Sequence, residues 1–186
     1  MKVTYSDLKN KRVFISGGGS GIGATIVEYF CEQKSEVYFI DIDLKSSNKL
    51  IKKIKKKGFR VPKFIECNIL DVKKLQNIIK DIISKKGAIH CLINSAANDD
   101  RHTTEQVDEK YWENRMGINL KHYFFAAQAV VKGMKKIKSG SIVNLSSVSW
   151  MLGEGDKVVY ETAKSAVVGL TRSFAQEFGK YNIRTN

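Results

Sequence analysis

An apolar stretch, Arg12-Val13-Phe14-Ile15-Ser16, runs straight into Gly17-Gly18-Gly19-Ser20-Gly21-Ile22-Gly23 and then into a helical pattern. No other feature limits the possible folds as strongly. Glycines let the backbone turn tightly behind a strand and come close to whatever occupies the bend. The helix that follows turns free N–H groups and the positive end of its dipole toward that bend. The order of strand, turn and helix then recurs. Apolar strand patterns cover 12–16, 36–41, 61–67, 88–94 and 141–146. Helical patterns cover 21–33, 44–57, 72–85, 109–115, 119–136 and 159–181. Strands this apolar, separated by helices, predict a parallel sheet covered on both faces. Right-handed crossovers then give an α/β, doubly wound, Rossmann-like three-layer fold. Ligands of such folds gather beyond the carboxyl ends of the strands.

Composition narrows the class. With 186 residues, 42% of them hydrophobic, the chain can bury one sizeable core. No linker, repeat or low-complexity tract divides it, so 1–186 reads as a single domain. No apolar run is long enough to span a membrane, and the polar start lacks a signal-peptide core. Cys31, Cys67 and Cys91 are widely spaced, with no Cys-x-x-Cys pair or zinc spacing. They predict free buried thiols, no metal site and a reducing cytoplasm. The net charge of +13 raises the question of a polyanionic partner. Its densest run, Lys52-Lys53-Ile54-Lys55-Lys56-Lys57, continues an amphipathic helix from Leu50 and Ile51, which reads as a solvated face. No nucleic-acid recognition motif accompanies it, so no nucleic-acid partner is expected.

The glycine turn has the spacing Gly-x-x-x-Gly-x-Gly. A strand before it, a helix after it and an acidic residue roughly 20 positions on mark a dinucleotide-binding turn. That acid is Asp41, at the end of the second strand pattern, where a carboxylate accepts hydrogen bonds from the adenosine ribose. The same charge repels a 2′-phosphate, and neither Ser20 nor Ile42 is basic, which favours NAD over NADP despite nearby Lys45. Asp43 suits a helix cap better than Asp41 does.

Tyr160 and Lys164 share one helix face, a turn apart. A phenol beside an ammonium, with the Ser147 hydroxyl brought in from another segment, can move a proton to or from an alcohol or carbonyl. With the glycine turn, Asp41, Ser147, Tyr160 and Lys164 in this order, the chain resembles the short-chain dehydrogenase/reductase family along nearly its whole length. Leu92-Ile93-Asn94-Ser95-Ala96-Ala97 is similar to the family's segment after strand four, with Ser95 and Ala97 departing from its usual asparagine and glycine. Asn119 resembles the helix asparagine of the catalytic tetrad, and 141–147 the strand that delivers its serine. Asn68 stands where many members have an aspartate beside the adenine.

The resemblance implies hydride transfer with a nicotinamide cofactor. It makes Tyr160 the general acid/base, with Lys164 activating it and bonding the nicotinamide ribose. Ser147 would position the reacting oxygen, and Asn119 would hold a water linking Lys164 to solvent. Its cofactor residues would be Gly17, Gly19, Ser20, Gly21, Ile22, Gly23, Asp41, Asn68, Ile69, Asn94, Ala96, Tyr160 and Lys164. The run Ala97-Asn98-Asp99-Asp100-Arg101-His102 is rich in hydrogen-bonding groups and Trp150 follows Ser147, which suits a sugar. Asn98–His102, 111–116 and 121–125 are also similar to bacterial sugar 1-dehydrogenases of the D-xylose type. That likeness implies oxidation of a cyclic aldose at C1 to a lactone, with Asn98, Ser147, Trp150 and Tyr160 touching substrate. A carbonyl or 3-oxoacyl reductase and an inactive nucleotide-binding module are the alternatives. In the competing structural reading Asp99 and Asp100 cap a helix, Arg101 pairs with one of them, His102 lies on the surface and Trp150 in the core. His122 reads as an exposed helix histidine without a role. Tyr181–Asn186 resembles the lead into strand six. Members of the family continue beyond it through a substrate lid and further strands, the last of which commonly build a tetramer interface, so the fold is expected to lack those last strands and the full-length form to be a homo-oligomer.

Overall fold

Alternating apolar strands and amphipathic helices fold here as their pattern requires. The computed structural model describes residues 3–186. Its strands are β1 (Arg12–Ser16), β2 (Glu36–Asp41), β3 (Lys63–Glu66), β4 (Cys91–Asn94), β5 (Gly140–Asn144) and β6 (Ile183–Thr185). Its α-helices are α1 (Gly21–Glu32), α2 (Leu44–Lys56), α3 (Val72–Lys86), α4 (Glu109–Met116), α5 (His122–Ile137), the short α6 (Ser149–Leu152) and α7 (Val158–Phe178). The strands form one sheet in the order β3-β2-β1-β4-β5-β6, every neighbouring pair parallel. This is the doubly wound order, and the change of direction between β1 and β4 opens a crevice at their carboxyl ends.

Side chains alternate across the sheet, so each strand feeds two cores. Phe14, Tyr38, Ile40, Leu92 and Ile142 meet Leu75 and Ile79 of α3, Ala126 and Val130 of α5, and Phe174 of α7. On the other face Val13, Ile15, Val37, Phe39 and Ile93 meet Val27 of α1 and Leu50 and Ile54 of α2. Burial on both sides is why these strands read as continuous apolar runs. Aspartate side chains cap α2, α3 and α4: Asp43 accepts from Ser46 N, Asp71 from Lys74 N and Asp108 from Tyr111 N. Helix α1 begins differently, because Ser20 at its N-cap makes no side-chain cap bond.

The structure departs from the sequence reading at several points, three of which have a plain local cause. A sixth strand is present: α7 stops at Phe178, a 3₁₀ turn follows over Gly179–Tyr181, and Asn182 reverses the chain at φ 59°. Asparagine tolerates that left-handed conformation, and β6 then pairs with β5, Ile142 opposite Thr185. The helix expected from Asn119 opens instead with a π-helical turn, Gly117–Lys121. The third strand starts only at Lys63, since Pro62 has no N–H for the ladder.

All three cysteines are free. Burial pushes the Cys31 and Cys91 thiols up to about 12, which keeps them unreactive near neutral pH. Among the described residues no helix is long and apolar enough to cross a membrane. None of their His, Cys, Asp and Glu side chains cluster in a way that would hold a metal.

Candidate active site

At the end of β1 the chain bends so sharply that side chains are excluded. Gly17 lies at φ +70°, and a Cβ there would sit 2.6 Å from the Ala96 backbone. A Cβ on Gly23 would lie 1.9 Å from the Gly17 carbonyl, so α1 packs directly on the turn. The N–H groups of Gly17 and Gly18 both donate to the Ile40 carbonyl, at 2.9 and 3.1 Å, anchoring the turn to β2. Ser20, Gly21 and Ile22 are exposed at the start of α1. With no side-chain cap, the first N–H groups of α1 point at solvent beside an open glycine turn. That donor set fits a diphosphate.

Asp41 reaches from β2 to the turn. Its Oδ2 accepts from Gly19 N at 2.8 Å and its Oδ1 from Asp43 N at 2.9 Å. Two backbone donors fix the carboxylate and leave each oxygen a second lone pair for a ribose hydroxyl. Asp43 is the cap of α2, as its position suggested. Asn68 is exposed beyond β3, with its side-chain oxygen on Leu70 N at 3.0 Å, and Ile69 is buried in the core.

Asn94, expected at the cofactor, turns its side chain into the interior. Its side chain is fully buried, donating to Asn144 Oδ1 at 2.8 Å and to the Tyr123 carbonyl at 3.4 Å. Its side chain braces β4 against β5 and α5. The groups that do reach the turn from this segment are the N–H groups of Ser95 and Ala96, which donate to Ser16 Oγ at 3.2 and 3.4 Å.

Beyond β5 the chain places Ser147, whose Oγ accepts from Ser149 N at 3.1 Å and lies 2.9 Å from Ser149 Oγ. The N–H contact fixes the oxygen and leaves the hydroxyl proton free to turn toward a bound oxygen. Tyr160 is half-buried near the start of α7. Lys164, one turn on, is only 1% exposed, with Nζ 5.6 Å from the Tyr160 ring centroid. Its ammonium donates to the Leu145 carbonyl at 2.7 Å and to Tyr123 Oη at 2.9 Å. Burial pulls Lys164 down to about 8. Ser146 Oγ donates to the Lys164 carbonyl at 2.7 Å, which ties the end of β5 to α7.

Asn119 lies buried in the π-helical turn, a geometry that recurs at functional sites. Its amide clamps one residue: Oδ1 accepts from Asn98 N at 2.8 Å and Nδ2 donates to the Asn98 carbonyl at 3.0 Å. Asn119 therefore sets the loop after β4. Asn98 in turn accepts from Asp100 N through its side chain.

That loop is tied down further on. Arg101 pairs with Asp156 ahead of α7, and Asp100 with Arg115 of α4 at 3.2 Å. Asp99 and Asp100 cap no helix, and Arg101 pairs with neither. His102 is buried rather than on the surface. Its Nδ1 meets Tyr111 Oη at 3.0 Å, and its Nε2 accepts from Val159 N at 3.4 Å, next to Tyr160. Trp150 is half-buried in α6, beside exposed Val148, Met151 and Leu152.

His122, read from the sequence as exposed, is fully buried. Its Nε2 lies 3.4 Å from Ser16 Oγ, and its Nδ1 faces the Ile118 and Gly117 carbonyls without a well-formed hydrogen bond. Burial first, then the Lys164 charge, press it down to about 3. The missed signal was periodicity: Asn119, His122, Tyr123, Ala126, Ala127, Val130 and Met134 form one inward stripe.

A profile of the short chain dehydrogenase family matches residues 11–186. The chain belongs to the short-chain dehydrogenase family. It is an oxidoreductase of a family that binds nicotinamide cofactors, and the glycine turn and Asp41 fit such a group. It is 39% identical over 182 residues to a probable galactose dehydrogenase of Rhizobium meliloti, covering 98% of this chain and 71% of that protein. It is 41% identical over 181 residues to D-xylose 1-dehydrogenase of Caulobacter vibrioides, covering 97% and 71%. Among solved structures, a gluconate 5-dehydrogenase of Burkholderia cenocepacia in complex with NADP and tartrate superposes with a TM-score of 0.86 at 26% identity, covering 96% of this chain and 69% of that one.

Proposed function

We propose that this oxidoreductase oxidises a cyclic aldose of the D-xylose kind at C1 to a lactone, with NAD as acceptor. The observation that carries the chemistry is a buried lysine on the same helix face as a half-buried tyrosine, at the ligand end of the sheet. The substrate class rests on the two sugar dehydrogenases at 39% and 41% identity, and on the polar loop that Asn119 holds beside the site.

When bound, NAD supplies the hydride acceptor. The turn of Gly17, Gly19, Ser20, Gly21, Ile22 and Gly23 would hold its diphosphate and Asp41 its adenosine ribose. Asn68 and the Ile69 backbone would border the adenine, and Ala96 and Lys164 the nicotinamide end. The chain's own residues handle the proton. Tyr160 takes it from the anomeric hydroxyl. Lys164 provides a positive charge that favours the phenolate. Ser147, its oxygen fixed by Ser149, donates to the reacting oxygen. Asn119 holds the Asn98 loop, and Asn98 and Trp150 meet the sugar.

Incubating the chain with NAD and D-xylose, D-galactose, L-arabinose or D-glucose is expected to yield NADH. Turnover of acetoacetyl thioesters with NADH, and of none of the sugars, would overturn the reading. Cofactor choice has its own test. Asp41→Ser removes the charge that opposes a 2′-phosphate, so the NAD-to-NADP ratio of affinities is expected to fall roughly tenfold. A ratio unchanged by fluorescence titration would mean that Asp41 does not read the ribose.

A further inference from the structure

We propose that Tyr123 is a positioning residue for Lys164: a second, buried phenol whose oxygen keeps the amine protonated and aimed between two aromatic rings. The inference rests on the role given above to Lys164. A buried ammonium needs acceptors or a counter-charge. Among the described residues no carboxylate pairs with Lys164. Its acceptors are the Leu145 carbonyl and Tyr123 Oη. Tyr123 is itself fully buried, and its O–H donates to the same Leu145 carbonyl at 3.1 Å. With the phenolic proton committed there, the lone pairs of Oη are left to face Lys164. The ring serves as well, since Nζ lies 5.1 Å from the Tyr123 centroid and 5.6 Å from that of Tyr160.

The surroundings leave this work to Tyr123. Helix α7 contributes Tyr160, α5 contributes Tyr123 and His122, and the end of β5 contributes Ser146, Ser147 and the Leu145 carbonyl. His122 is held neutral and supplies no negative charge. A carboxylate in place of Tyr123 would lock the ammonium. A neutral phenol supports the charge without fixing it, against the burial that pulls the amine down to about 8. Removing the hydroxyl leaves one acceptor, and a hydrogen bond to a charged group corresponds to about one pH unit or more.

The test follows the Lys164 ε-carbon by NMR titration of the whole chain, with the resonance assigned by its loss in Lys164→Met. Wild type is expected to titrate near pH 8. In Tyr123→Phe the midpoint is expected to move about one pH unit or more toward acid, while Tyr123→Gln, which restores an acceptor oxygen, keeps it near wild type. An unmoved midpoint in Tyr123→Phe overturns the proposal. Should the Phe variant not fold, the wild type decides alone. A slowly exchanging Lys164 ammonium, visible in nitrogen-detected spectra at neutral pH, supports the proposal; its absence overturns it. Sugar turnover is read separately. Failure of every aldose with a shifted midpoint sinks the substrate reading and leaves Tyr123 in its role. Aldose turnover with an unmoved midpoint does the reverse.

Discussion

Tyr160→Phe is expected to lower sugar-dependent NAD reduction by roughly 10³-fold while leaving cofactor affinity almost unchanged. The substitution deletes a single oxygen. The ring stays, and with it the aromatic surface 5.6 Å from Lys164 Nζ. Lys164 keeps both of its hydrogen bonds, because these run to Tyr123 and Leu145 and not to Tyr160. The glycine turn and Asp41 belong to β1, α1 and β2 and are untouched. In the proposed mechanism the deleted oxygen is the one that accepts the proton, so kcat is expected to fall while binding persists. Steady-state kinetics with D-xylose and fluorescence titration with NAD measure the two quantities. Turnover within tenfold of wild type would show that another group moves the proton.

The second large effect concerns stability in acid. His122 is pressed down to about 3 in the folded protein, against an ordinary value near 6.5. Between these values the unfolded chain binds a proton that the folded chain refuses. Linkage then makes stability rise with pH across this window, so it is lost as pH falls from 6.5 toward 3. The slope approaches about 1.4 kcal/mol per pH unit for one such group. Carboxylates also titrate in this range, so the informative quantity is the difference between wild type and His122→Gln. Urea unfolding at pH 7, 5.5 and 4.5 is expected to show a distinctly shallower acid loss in the variant. Equal losses would mean that water or a shift of α5 relieves the buried ring.

Much of the site was visible in the residue order. The glycine turn was legible from residue type, because the φ +70° of Gly17 favours glycine and a Cβ on Gly23 would meet the Gly17 carbonyl at 1.9 Å. Asp41 was readable because the end of a strand beside that turn is a fixed place in a doubly wound sheet. Tyr160 and Lys164 were readable because helical spacing alone puts them on one face. Less visible were the partners that come from far along the chain. Asn119 points at the backbone of Asn98 through a π-helical turn that no periodicity announces. His102 bridges Tyr111 and Val159 because three separate segments meet there. Asn94 lies at the carboxyl end of β4, yet Asn144 on the neighbouring strand draws its amide inward.

The sequence by itself determined the layered parallel architecture, the glycine cradle and the tyrosine–lysine face. Each depends on local sterics or on a repeat of two or 3.6 residues, which any single segment carries within itself. Only the tertiary structure decided which buried polar groups meet: Lys164 with Tyr123 and Leu145, His122 with Ser16, Asn119 with Asn98. Those pairings follow from the need of a polar atom, once removed from water, to find a partner wherever packing brings one. Packing brings together residues that linear order keeps far apart.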